Sequence, residues 1–222
     1  AENFETISKT QANTFTEFLV EPLRTLELAA ASNIVKNSIF EANQALEEQA
    51  PNLEERDEAW RQAATNERST AEIDAMLNSE ASALLTDFTS VHAELAELFI
   101  TNAQGAVVAS NGTIPTDYLQ MDEAWWQAAW NFGNGAIFID SRTEFDESTG
   151  RQGLRLAVPI RAEDRVIGIV RGTFDVRAIT NQLEELQLGE TGNTLIVNDQ
   201  GEIVVADQDS DGRFTFAEAF FA

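Results

Sequence analysis

Apolar positions follow helical spacing through the first part of the chain and change to strand spacing near residue 93. Phe4, Ile7, Phe15, Phe18, Leu19, Leu23, Leu26, Ala30, Ile34 and Ile39 fall mostly on one stripe, the signature of an amphipathic helix. One long helix is predicted to about Ala50, with a kink or break near Glu21, because Pro22 lacks an amide hydrogen and clashes with the preceding turn. Helices over 53–65 and 70–91 follow the proline-containing turn APNLEER. The long stripe can pack lengthwise on its own domain or against a second copy of itself, and both readings stand.

Beyond residue 93 the period falls to two. LFITNAQGAVVAS (98–110) has two strand-like runs around a polar turn with Gly105, a hairpin pattern. TLIVNDQGEIVVAD (194–207) repeats it at a constant offset of 96 residues, which points to two copies of one small module in tandem. Between the copies MDEAWWQAAWNFG reads as a helix, with Asp122 near its start and Gly133 past its end. Strands are predicted at AIFIDS, GLRLAVPI and VIGIVRGTFDV, joined by turns at EFDESTGRQG and RAEDR. A further helix over about Arg177–Leu188 leads into the second hairpin. This order gives an α+β fold, an antiparallel sheet with its helices segregated to one face.

Charge removes whole classes of partner. The chain has 38 acidic and 14 basic residues, a formal charge of -24, and phosphate binding needs clustered lysine and arginine, so nucleic acid is excluded as a partner. The only lysines are Lys9 and Lys36. Such a balance fits a surface adapted to high salt, as in a halophile, or an ordinary acidic extracellular domain. No cysteine is present, which removes disulfides, thiolate metal sites and thiol nucleophiles. No run approaches the roughly 18 apolar residues of a membrane helix. The sole histidine is His92, and no serine elbow or phosphate loop accompanies it, so it reads as a helix-surface or core residue. Pairs such as Asp140 and Glu144 suit acid–base work, but so many acids create such pairs by chance. The chain is read as no enzyme, with no organic cofactor.

The order and spacing of the long N-terminal helix, FITNAQGAVVAS, DEAWWQAA, FDESTG, LAVPI, VIGIVRGTFDV and LGETGNTLIVNDQGEIV resemble the double-Cache sensor domain. That resemblance implies PAS-like antiparallel modules in tandem along the long helix, outside the membrane, in chemoreceptors, sensor histidine kinases and related signalling proteins. Residues 1–92 would form the helical region, 93–192 the membrane-distal ligand-binding module with its connecting helix, and 193–222 the start of an incomplete second module. Implied with it are a small-molecule ligand (an amine, amino acid or organic acid), a homodimer through the N-terminal helix, and membrane segments flanking these residues. In amino-acid-binding members a tyrosine, an Arg-x-Trp-aromatic motif and a later aspartate hold the ligand. Tyr118, Trp125, Trp126 and Asp175 match those positions, but Glu123 stands where the arginine would be. A carboxylate cannot clamp a carboxylate.

Two resolutions are open. Arg171 shares one face of its strand with Thr173 and Asp175 and can supply the missing cation. Alternatively Glu123, Asp146 and Asp175 favour an amine, helped by aromatic faces. Against both stand solvation of these charges or pairing with Arg142 and Arg155, and simple core packing of the aromatics. Neighbouring Trp125 and Trp126 point about 100° apart on a helix, so they cannot serve one narrow face equally.

DQDSDGRFTFAE (207–218) matches a calcium loop: Asp207, Asp209, Asp211, the Arg213 carbonyl, Thr215 and Glu218 stand at the ligand positions, with Gly212 at the sharp turn. EIVVA before it reads as a strand, so at most half an EF-hand is present. Bound calcium and a solvated connector are both open, and a calcium-stabilised adhesion or structural module is the alternative to a sensor.

Overall fold

The computed structural model describes residues 20–49, 53–66, 68–140, 143–175, 177, 195–197 and 203–206. Helix α1 (20–31) contains Pro22 in its first described turn, and the bend expected near Glu21 concerns residues that lie mostly outside the described ones. Ser32 separates α1 from α2 (Asn33–Gln49). Its N–H turns back to the Ala29 carbonyl and its own carbonyl receives the Lys36 N–H, both at 3.1 Å, so one helix closes and the next opens on the same residue. Helix α3 (Leu53–Thr65) has the expected bounds. The segment read as one helix over 70–91 is two, α4 (Ala71–Leu77) and α5 (Glu80–Val91). Ser79 adopts extended backbone and its hydroxyl accepts the Ser82 N–H at 3.1 Å, an N-cap that ends one helix and starts another. His92 is the C-cap of α5, its Nδ1 3.1 Å from Glu94 Oε1.

The sheet strands are β1 (Leu95–Asn102), β2 (Val107–Ser110), β3 (Phe138–Ile139), β4 (Glu144–Asp146), β5 (Arg151–Ala162) and β6 (Arg165–Asp175). They run β2-β1-β6-β5-β3, with β4 beside β3 on the outer edge of β5, and all pairings are antiparallel. Helix α6 (Ala124–Trp130) packs over β5 and β6. A separate hairpin, β7 (Leu195–Val197) and β8 (Ile203–Ala206), pairs Leu195 with Ala206, Ile196 with Val205 and Val197 with Ile203. Each pair is the β1–β2 pair Phe99–Ser110, Ile100–Ala109 or Thr101–Val107 moved along by the repeat offset, and the register shift falls at the equivalent step. The sequence repeat is therefore also a repeat of pairing, bulge included.

Helices cover both faces of the sheet, not one. Leu26, Val35, Ile39 and Leu85 from α1, α2 and α5 pack on Leu98, Ile100, Leu156 and Phe174. On the other face Trp60, Ile73, Met76, Trp125 and Trp126 from α3, α4 and α6 pack around Phe99, Ala157 and Ile169. The reason is visible in β1 and β6, which are buried at nearly every position and must be covered on both faces. Close packing under α2 needs Gly168, where an added methyl group would lie 2.2 Å from the Thr101 carbonyl oxygen and 2.9 Å from Ile39 Cδ1. Gly168→Ala is expected to lower the unfolding free energy by about 1–3 kcal/mol in urea titration. An unchanged midpoint and slope would show that the strand moves freely away from the helix.

Candidate functional site

The second face of the sheet carries a cavity of about 260 Å³, floored by β5 and β6 and walled by Pro115–Glu123 on one side and the 144–148 turn on the other. By the measure of a cavity of about 150 Å³ that holds benzene, it admits roughly ten non-hydrogen atoms. Glu123, Trp125, Asp146 and Arg171 line it; Tyr118, Trp126 and Asp175 do not. The two tryptophans divide as their angular offset requires. Trp125 meets Phe99 edge-on at 5.9 Å and lines the cavity, whereas Trp126 stacks on Trp130 and donates its indole N–H to Thr101 Oγ1 at 2.9 Å.

Tyr118 faces a second, smaller cavity of about 170 Å³ with Arg56, Trp60 and Glu72. The Arg56 guanidinium lies 4.7 Å over its ring and donates to Glu72 at 3.0 Å. Burial pushes the Tyr118 phenol up to about 12, against the pull of Arg56. Its backbone explains the placement: Asp57 Oδ1 accepts the N–H groups of Tyr118 and Leu119, both at 2.9 Å, and pairs with Arg61 through Oδ2. Asp57 is buried and fastens the cavity wall to α3, a role that no pattern along the sequence announces.

Every cation on the floor is engaged. Arg171 donates from Nη1 to Glu97 at 3.0 Å and from Nη2 to Asp146 at 2.7 Å and Thr173 at 3.2 Å. Phe99 and Trp125 hold its plane, their ring centres 5.1 and 5.3 Å from the guanidinium carbon. Arg155 donates to Asp140 from Nε at 2.7 Å and to Glu144 from Nη2 at 2.5 Å, so the two acids that suited acid–base work are partners of one arginine. Asp175 lies off the cavity with Arg151 and Arg177, at 3.0 and 2.6 Å.

Glu97 is the residue that strand periodicity concealed. Counting by twos places it with Leu95, yet Leu95 lies in the core beneath α1 and Glu97 on the cavity face. The register shift between Leu95 and Glu97 against β6 inserts a residue and turns the strand over. The available signal was a single acid inside the otherwise apolar run LAELFI. Fully buried, Glu97 accepts from Ser148 at 2.7 Å as well as from Arg171. Burial pushes its carboxyl above the ordinary range, with Arg171 opposing and Asp146 adding to the rise. For Asp146 burial works upward too, but Arg171 and the bonds from Ser148, Thr149 and Thr173 outweigh it and hold the carboxyl below its usual value.

The lining therefore includes five acidic residues, Asp117, Glu123, Glu144, Asp146 and Glu147, against Arg155 and Arg171. The Glu123 backbone donates to the Gln120 carbonyl and accepts from the Gln127 N–H, but its carboxylate makes no hydrogen bond or ion pair among the described residues. Burial first, then Asp122 and Asp117, pushes its carboxyl up. Asp117 is pushed up as well, by burial against Thr116 and Arg61. A negative wall beside an indole face is suited to a small ammonium group.

Residues Asp207, Asp209, Asp211, Arg213, Thr215 and Glu218 of the calcium pattern lie outside the described residues, although strand β8 does run up to Ala206 before them. Among the described residues no cluster of three or more His, Asp or Glu side chains is arranged to hold a metal. The helix expected over 177–188 is described only at Arg177, and Arg142 lies outside the described residues.

The family model of the Cache domain matches residues 1–215. Among solved structures, the sensor domain of the Vibrio cholerae histidine kinase DctB aligns over 78% of this chain at 15% identity and a TM-score of 0.48. The ligand-binding domain of the Campylobacter jejuni chemoreceptor Tlp3 in complex with 4-methylisoleucine aligns over 82%, at 16% identity and 0.43. That of the Pseudomonas aeruginosa amino-acid chemoreceptor PctC in complex with GABA aligns over 82%, at 20% identity and 0.43. This chain spans 57%, 69% and 73% of those three chains respectively. No curated protein matches the chain.

Proposed function

Because this chain belongs to the Cache domain family, we propose that it is the extracytoplasmic, ligand-binding part of a membrane-anchored signalling receptor, and that its ligand is a small organic cation such as a primary amine. One observation carries the choice of ligand: both arginines lining the cavity are paired with protein carboxylates, while the Glu123 carboxylate feels Arg155 and Arg171 only at a distance and makes no hydrogen bond or ion pair among the described residues. An organic acid would have to displace Asp146 or Glu97 from Arg171, or Asp140 from Arg155. An amine needs to displace nothing.

The receptor role predicts membrane helices encoded on both sides of this segment, and a gene lacking them contradicts it. The ligand-binding module is 93–192, with a second module opening at 193. A ligand between the Pro115–Glu123 wall and the 144–148 turn would draw them together over β6, the strand that carries Arg171 on the cavity side and Gly168 and Gly172 against Ile39 and Leu26 on the other. Binding that favours the closed arrangement would thereby bias α1 and α2 relative to a partner copy. Sizing at several concentrations tests that partner, and a monomer throughout counts against it.

Calorimetry with primary amines, amino acids and organic acids tests the ligand class. Amines are expected to bind, and Glu123→Gln to weaken them about tenfold, the equivalent of one charge-assisted hydrogen bond. Acidification toward the carboxylate range should weaken them too. Glu123 and Asp117 take up protons above the usual carboxylate range, so the cavity loses negative charge early as pH falls. An amine affinity that holds constant until the ordinary glutamate value is reached would remove these two carboxylates from the site.

A further inference from the structure

We propose that Glu97, which does not itself line the cavity, determines the charge class of ligand that the cavity accepts, by engaging Arg171 from beneath and withholding that guanidinium from ligand carboxylates. This rests on the cation reading above and names the residue that enforces it. Arg171 lines the cavity and is 8% exposed, so it is the floor's own candidate for a carboxylate clamp. Its plane is set by Phe99 and Trp125, which leaves the guanidinium little room to swing toward a ligand.

The two carboxylates that hold it are not equivalent. Asp146 belongs to the cavity lining, where a ligand can compete with it. Glu97 is wholly buried on β1, with one oxygen held by Ser148 and the other by Arg171 and Thr173. A ligand cannot reach Glu97, so no ligand displaces it from Arg171. Without that charge, Arg171 and Asp146 would form a neutral pair in place of a net negative trio, and a ligand carboxylate would compete with one carboxylate for the guanidinium instead of two.

The test uses two four-carbon probes of similar size, n-butylamine and butyrate, titrated calorimetrically into the 222-residue chain and its Glu97→Gln form. Glu97→Gln is expected to raise butyrate affinity at least about tenfold and to lower that of n-butylamine by a similar factor. In Glu97→Gln/Arg171→Gln the butyrate gain should vanish, because the guanidinium that caused it is gone. A folded Glu97→Gln with no butyrate gain overturns the proposal, and so does a gain that survives loss of Arg171. Should circular dichroism show that Glu97→Gln does not fold, Glu97→Asp, which keeps the charge but shortens the reach, must give a smaller shift in the same direction; unchanged selectivity overturns the proposal. A parent chain that fails to bind n-butylamine contradicts the cation reading alone, since the butyrate gain is read independently of it.

Discussion

Arg171→Met is expected to destabilise the chain by about 3–5 kcal/mol, because it leaves the Glu97 carboxylate buried with no counter-charge. Glu97 is wholly buried, and Arg171 is the only cation within ion-pair distance of it among the described residues. The loss should appear in urea titration as a lower midpoint with little change in slope, and as a fall of roughly 10 °C in melting temperature. The pair itself need not stabilise the fold, since the cost of removing both charges from water is of the same order as their attraction. Glu97→Gln/Arg171→Met should therefore recover most of the loss. If Arg171→Met is as stable as the parent chain, Glu97 is reaching water or another cation and its role under the cavity floor is wrong.

Asp57→Ala is the second large effect, expected at roughly 3 kcal/mol. Two backbone N–H groups lose a charged acceptor there, and such bonds contribute about 1.5–3 kcal/mol each. The same substitution should weaken amine binding, because Asp57 holds Tyr118 and Leu119 in the segment that also carries Asp117, Gln120 and Glu123. Glu58→Ala, one residue along α3 but exposed and bonded only to Gln62, is the control and should stay within about 0.5 kcal/mol of the parent. Equal behaviour of the two variants in urea titration would refute the fastening role of Asp57.

The features legible in the sequence were those carried by local pattern. The NxQG repeat predicted two hairpins, and the paired strands repeat down to the bulge. The helix over 53–65 and the placement of Arg171 with Thr173 on one strand face followed from spacing alone, and both side chains line the cavity. What escaped was set by tertiary contacts. The bulge at Leu95–Glu97 reverses the face of a strand without changing its composition. Tyr118 is drawn away from the cavity by Asp57, a residue far off in the sequence. Strand β4, within what reads as a turn, exists because β5 extends back to Arg151 and offers it an edge. Asp146 and Asp175 looked like free acids for a cation, yet each is held by arginine, which leaves Glu123 to carry that reading.

The most direct measurement is a crystal structure of the chain with a bound primary amine. The ammonium group is expected at about 3 Å from the Glu123 carboxylate, beside the Trp125 indole, with Arg171 still bonded to Glu97 and Asp146. An amine seated in the Tyr118 cavity instead, or Arg171 released from Glu97 to bind an anion, would contradict the account.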